Sequence, residues 1–449
     1  MAGLPVLKDT ISPLQYPQPN NTMKKIYSAF LTLIISTIAI AQPPSVAKPQ
    51  AKAIALKGGT IHVGNGQVIE NGTVVFDQGK ITAVGNAQTS TNNAEVLDAT
   101  GKHIYPGIIA PNTRLGLDEI GAVKATQDNT ETGLVNPNIR SLVSYNTDSE
   151  HIPITRGNGV LLAQTVPEGG VVSGTSSVVQ LDGWNWEDAA YRKDDGVWLN
   201  WPNMFTMGGF FSPGPTKKNE KRGEILDELD RTFKDAFAYA QIKNPVPVNL
   251  KLSAMKGLYD GSKTLYIRSD YAKEIVEAVN FAKSHQVKKY VVVGGADAYL
   301  VLDFLKDNGV PVLLNSPHRL PSRPEEDVDM PYKLATILHK AGILTGISYE
   351  GQPYQYRNVP FVAGQTAGHG LTKEEALQLV TLNNAKILGI DARTGTLETG
   401  KDANIVVSSG DLLDMRTNDV THAFIQGRQL TLDDKQKRLY KRFSEKYGK

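Results

Sequence analysis

Short apolar runs separated by glycine and asparagine turns fill the stretch from Ala53 to Leu97: Ala53–Leu56, Thr60–Val63, Thr73–Phe76 and Ile81–Val84. Runs of this length bounded by turn residues predict strands, and Gly79-Lys80 between two of them predicts a hairpin. A second set lies near the other end. Gly395-Thr396-Leu397 through Asn404-Ile405-Val406-Val407 reads as strand-turn-strand, and Val420–Ile425 is a further strand ending at Gly427.

Between these sets the period changes. Leu265–Arg268 predicts a strand, and a helix opens at Ser269 or Asp270 with Ile275, Val279 and Ala282 on one face. Tyr290–Gly294 is the next strand, and the helix Ala298–Asn308 is closed by Gly309. Strand Val310–Leu314, helix Tyr332–Lys340 and strand Ile343–Ser348 follow, then a helix opened by a Thr372/Glu375 capping box. Strands alternating with helices imply a parallel sheet with right-handed crossovers, either an open doubly wound sheet or a closed barrel.

The region from 140 to 260 is less regular. Ser173-Gly174-Thr175-Ser176-Ser177 reads as a small-residue loop before the strand Val178–Leu181. Residues 218–241 predict a charged amphipathic helix within an insertion spanning about 182–260. Lys435–Lys449 places Leu439, Tyr440, Phe443 and Tyr447 on one helical face amid Lys and Arg. That helix is expected to dock on the body with its basic face in solvent, or to meet anionic lipid or a partner.

Near the start, Met23-Lys24-Lys25, the apolar run Ile26 to Ile40 and the small-x-small site at Ala39-Ile40-Ala41 have the three parts of a signal peptide. The run is shorter than the roughly 20 residues a span requires. Residues 1–22 are expected to be an upstream extension, 23–41 a cleaved leader, and the mature protein periplasmic or secreted, with no membrane span after cleavage. A net charge of +2 gives no reason to expect a nucleic-acid partner, and the absence of cysteine excludes disulfides and thiolate metal sites.

The most informative stretch runs from Gly101 to Ile120. Tyr105-Pro106-Gly107 marks a turn and Ile108-Ile109-Ala110 a buried strand. This resembles the start of the first barrel strand in the amidohydrolase superfamily (imidazolonepropionase-like and dihydroorotase-like enzymes). The stretch Gly395–Val407 resembles the same family's Gly-x-Leu-x-x-Gly-Lys-x-Ala-Asp motif, with Asn404 at the Asp position.

The resemblance implies a distorted (β/α)8 TIM-like barrel, residues 106–394, beside a composite β-sandwich made of residues 53–105 and 395–430; the basic helix expected at 431–449 lies beyond it. It also implies hydrolysis of carbon-nitrogen bonds other than peptide bonds, by water activated on one or two zinc ions.

The positions matching the family's metal ligands hold Asn112, Arg114, Arg268, Gly294 and Ser348. An amide oxygen is a weak ligand and a guanidinium repels a cation, so the usual metal is not expected. Three functions follow: a hydrolase with a rebuilt site, a pseudoenzyme barrel that binds a small anion, or a subunit of a homo- or hetero-oligomer supporting an active relative. Binding candidates are Arg114, Arg268, His318, Tyr349, Glu350 and His369.

The alternatives are ordinary ones. Arg114, Arg268, Arg140 and Arg156 can line an anion site or brace the fold through Asp118, Glu119 or Glu350. His318 with Glu325, Glu326, Asp327 and Asp329 can hold a single cation or form a solvated acidic loop. Trp184, Trp186, Trp198 and Trp201 can line a stacking cleft or simply pack.

Overall fold

The computed structural model describes residues 46–91, 93–206, 216–321 and 325–448, and residues 46–449 form one compact unit. The expected extension at 1–22 and leader at 23–41 lie outside the described residues.

The chain opens with β1 (Ile54–His62), β2 (Val68–Asp77) and β3 (Lys80–Gly85), an antiparallel meander. The two runs expected as separate strands, 53–56 and 60–63, are one strand carrying a register shift around Gly59. The hairpin turn is Gln78-Gly79, both at positive φ (49° and 78°), one residue earlier than the sequence indicated. Two left-handed residues match the strand twist in such a turn. β4 (Glu95–Asp98) and β5 (His103–Pro106) then lie parallel along β1.

Gly107 carries the chain directly into the second sheet, whose strands are β6 (Ile108–Thr113), β7 (Val160–Thr165), β8 (Val172–Gln180), β9 (Ala190–Asn200), β12 (Thr264–Ser269), β13 (Tyr290–Gly294), β14 (Val312–Leu314) and β15 (Thr345–Ile347). The short hairpin β10 (Phe205–Thr206) and β11 (Lys217–Lys218) stands outside it. Every neighbouring pair is parallel except β7/β8 and β8/β9, so β8 alone runs backwards. The β7–β8 connection is too short for a crossover helix, and an antiparallel partner needs none. This is the distorted barrel that the resemblance implied.

Its helices are α1 (His151–Arg156), α2 (Trp186–Ala189), α3 (Arg222–Ala240), α4 (Leu250–Met255), α5 (Gly257–Asp260), α6 (Ala272–Ser284), α7 (Leu302–Asp307), α8 (Met330–Lys340), α9 (Val359–Ala367), α10 (Lys373–Val380) and α11 (Leu382–Ile387). β9 is a barrel strand inside the stretch expected as an insertion. The elements added outside the sheet, α3 to α5, pack Leu229, Phe233 and Met255 against Trp201 and Leu265.

The first and last barrel strands are joined by a side chain. Asn384 Nδ2 donates to the carbonyls of Ile109 in β6 and Ile347 in β15, both at 2.9 Å. Gly346 makes room for it, since a Cβ there would stand 2.2 Å from Asn384 Oδ1.

The chain returns to the first sheet through β16 (Ile405–Ser408), β17 (Val420–Ile425) and β18 (Arg428–Gln429). β16 pairs with β5, giving the order β18-β17-β16-β5-β1-β2-β3 around a core that includes Phe76, Ile104, Ile405 and Phe424. Last comes α12 (Lys435–Tyr447), capped by Asp434, whose carboxylate accepts from Lys437 N at 2.9 Å; none of its residues is buried. The helix lies on the surface with its basic residues in solvent.

Candidate functional site

Parallel strands direct their C-terminal ends to one mouth of the barrel, where loop residues converge. β6 delivers Asn112 there in the left-handed conformation (φ 53°), which asparagine tolerates better than other side chains. Its N–H donates to Gln164 Oε1 (3.2 Å), and its Oδ1 accepts from Arg268 Nη2 (3.1 Å) at the end of β12. Arg268 Nη1 donates to Asn200 Oδ1 (3.0 Å), and the guanidinium lies 4.4 Å over the Trp198 ring. Trp198 in turn stacks on Tyr266 at 4.8 Å.

Arg268 is half-buried and, among the described residues, has no carboxylate within ion-pair distance. Desolvation pulls its pKa down, against the raising effect of the more distant Glu168 and Glu350. The group nevertheless stays charged, because a guanidinium does not deprotonate in proteins.

Beneath it lies a buried polar column. Asp195 accepts from Ser176 Oγ (2.8 Å), Gln164 Nε2 (2.7 Å) and Tyr266 OH (2.9 Å). Burial pushes its carboxyl pKa up, and these donors oppose the rise. Ser173 to Ser177, expected as a loop, belong to β8, and their hydroxyls are wall groups without a histidine partner.

On the other side of the mouth, Asn112 Nδ2 reaches Asn315 Oδ1 (3.5 Å), Ser348 Oγ donates to the same oxygen (3.3 Å), and Asn315 Nδ2 donates to Glu350 Oε2 (2.8 Å). Asn112, Arg268, Ser348 and Glu350 thus share one hydrogen-bonded chain. Gly294, at φ 97°, has no side chain to offer; a Cβ there would lie 2.5 Å from Asp270 Oδ1. Asp270, Asn315, Arg319 and Glu350 line a cavity of about 240 Å³. Burial raises the pKa of Glu350, and the negative charge of Asp270 adds to it while Arg268 opposes it. Asp270 is raised too, chiefly by burial. Both acids sit on the exposed rim, so water moderates these effects.

Arg114 turns away from Asn112. It donates to Gly351 O (3.0 Å) and pairs with Asp118 (3.4 Å) and Glu168 (3.5 Å), while its backbone N–H donates to Tyr356 OH. These contacts tie the loops after the first two barrel strands to the segment around Gly351. Arg140 pairs with Asp194, and Arg156 with Asp182, so neither adds a free cation to the mouth. Each is neutralised by an acid on a neighbouring strand or loop.

His318, Tyr349 and His369 are not brought to Arg268. His318 and His369 flank Tyr332, with ring centroids 6.1 and 5.2 Å away. His318 and Tyr349 line a separate cavity of about 860 Å³ between α9 and the 411–416 loop, which shares no lining residue with the mouth cavity. Of the acids near His318, Glu326 pairs with Arg319, and Asp327 and Asp329 with Lys333. Among the described residues no group of three or more His, Asp or Glu is placed to hold a metal ion. The four tryptophans share no cleft: Trp198 and Trp201 are buried in different clusters, Trp186 packs against the main core and Trp184 is 70% exposed.

Sequence reasoning missed Asp270, Asn315, Asn200 and Glu168. Each lies just beyond or at the end of a strand, and that position was the available signal.

Residues 335–430 match the model of the Amidohydrolase family. No curated protein matches the sequence. Among solved structures, an amidohydrolase from Thermotoga maritima MSB8 superposes with TM-score 0.74 at 23% identity, covering 84% of this chain and 99% of its own. A prolidase complexed with N-methylphosphonate-L-proline gives 0.54 at 15% identity over 84% and 99% of the two chains. Molinate hydrolase gives 0.52 at 15% over 85% and 95%. These superpositions establish a shared fold: a distorted barrel beside a sheet built from both chain ends.

Proposed function

We propose, on the premise of this amidohydrolase-superfamily fold, that the barrel mouth binds a small anion and does not assemble the two-metal centre. One observation carries the reading. Where imidazoles and a carboxylate would converge on zinc, the chain places the guanidinium of Arg268, held by Asn112 and Asn200 and stacked on Trp198, with no acid paired to it among the described residues. A cation fixed there repels a metal ion and offers free N–H donors to a carboxylate or phosphate. Asn112, Gly294 and Ser348 supply an amide, no side chain and a hydroxyl bonded to backbone, a donor set that does not fit zinc. No catalytic step is therefore drawn through a metal.

The test is thermal stabilisation by small carboxylates and phosphate, compared with neutral amides of the same size. Stabilisation by anions that is lost in Arg268→Met supports the reading; an equal response in the variant sinks it.

A second reading rests on Asp270 and Glu350, two acids at one cavity with raised pKa values. Such a pair can hold a proton for general acid-base hydrolysis of a carbon-nitrogen bond. Amide hydrolysis that persists in chelator and falls in Glu350→Gln would favour it. Export is part of the proposal and rests on residues 23–41; recovery of the chain from the periplasm or medium, starting near Gln42, tests it.

A further inference from the structure

Helix α12 has an apolar stripe that nothing in the described chain covers. Leu439, Phe443 and Tyr447 follow one another at intervals of four with Tyr440 beside them, and they are 40%, 46%, 65% and 75% exposed in that order. Six cations, one acid, Gln436 and Ser444 complete the helix. At 3.6 residues per turn, Lys435, Arg442 and Lys446 fall along one edge of the stripe, Lys437 along the other, and Lys441 and Glu445 opposite it. Arg438, also opposite, attaches the helix to the body through Glu150 (3.8 Å) and Asp433 (3.3 Å). The stripe consequently faces away from the barrel.

The same end of the molecule carries a second exposed aromatic. Trp184 is held by Thr147, whose hydroxyl donates to its carbonyl, three residues from Glu150. Ala47 donates its N–H to Asp182, two residues before Trp184.

We propose that α12, with Trp184, seats this protein on the surface of an anionic lipid bilayer. Cations along both edges of an aromatic stripe suit headgroup phosphates flanking buried rings, and Tyr and Trp favour that interface. Lys446 lies 5.1 Å from the Tyr447 ring and Arg442 5.8 Å from Phe443, so charge and ring present together. No helix among the described residues is long and apolar enough to cross a membrane, so the contact is peripheral.

The chain from Gln42 onward, containing the whole compact unit, is sedimented with vesicles of phosphatidylcholine alone or of phosphatidylcholine with phosphatidylglycerol. Binding to the anionic vesicles, weakening with salt, is expected. Arg442→Glu with Lys446→Glu lowers it by about tenfold or more, while Phe443→Ser lowers it without changing the melting temperature. A blue shift of Trp184 fluorescence on binding, absent in Trp184→Phe, locates the contact. Equal binding to neutral vesicles, no binding to either, or an unaffected charge-reversal variant overturns the proposal. So does light scattering that finds a dimer dispersed by Phe443→Ser, because a second copy would then own the face.

Discussion

Replacing Arg268 by methionine separates an anion receptor from a brace. The substitution removes two hydrogen bonds, to Asn112 and Asn200, and the contact with Trp198. Those are worth about 1 kcal/mol each. It also removes a half-buried cation with no ion-pair partner among the described residues, whose desolvation cost is of similar size or larger. The ligand-free variant should therefore melt within a few degrees of the parent.

The ligand-bound comparison differs. Two charge-assisted bonds from the guanidinium to a carboxylate contribute about 3 kcal/mol, roughly a hundredfold in Kd. At a ligand concentration of about 100 Kd, binding stabilises the parent by about 2.7 kcal/mol and the variant by about 0.4 kcal/mol. For a unit of about 400 residues, an unfolding entropy of about 2.1 cal/mol/K per residue converts these to shifts of about 3 °C and about half a degree. Differential scanning fluorimetry with a panel of carboxylates and phosphate reads both. A variant that loses many degrees without ligand, or keeps the full anion shift, refutes the reasoning.

Three further outcomes follow from the geometry. Asn384→Leu strands the Ile109 and Ile347 carbonyls at the barrel closure and should cost about 2–4 kcal/mol in guanidinium titration; an unchanged midpoint would show that the two strands close without it. Gly294→Ala puts a Cβ against Asp270 at a left-handed position and should destabilise by about 1–3 kcal/mol, whereas a neutral result would mean that Asp270 moves freely. Glu350 holds its proton more tightly when folded, so from its ordinary value near 4.5 upward the folded state binds more protons than the unfolded one, and stability falls as pH rises through that window. Glu350→Gln should flatten the fall, and an identical pH profile would contradict the assignment.

Much of this architecture was legible because local signals agreed with tertiary placement. Tyr290–Gly294 and Val420–Ile425 match their observed strands in full, each largely buried and stopped by glycine or by a residue next to it. The Thr372/Glu375 capping box forms as the spacing requires. β8 was misread for a physical reason: its hydroxyl-rich half is buried by bonding to Asp195 and to the Pro137 carbonyl, partners remote in sequence. Asn384 was invisible for the same reason, being an ordinary helical residue until β6 and β15 meet across it. At the mouth, Asn112, Arg268 and Ser348 do share one network, while Arg114, His318 and His369 point elsewhere because Asp118, Glu168 and Tyr332 engage or flank them. Side-chain direction at a loop depends on such neighbours, and residue type alone does not encode it.

Metal content tests the central claim most directly. Protein produced with zinc in the medium and analysed by inductively coupled plasma mass spectrometry should carry far less than one zinc per chain, with no stability lost to chelator. One or two equivalents of tightly held zinc, whose removal destabilises the barrel, would contradict the placement of Arg268 where the metal would sit.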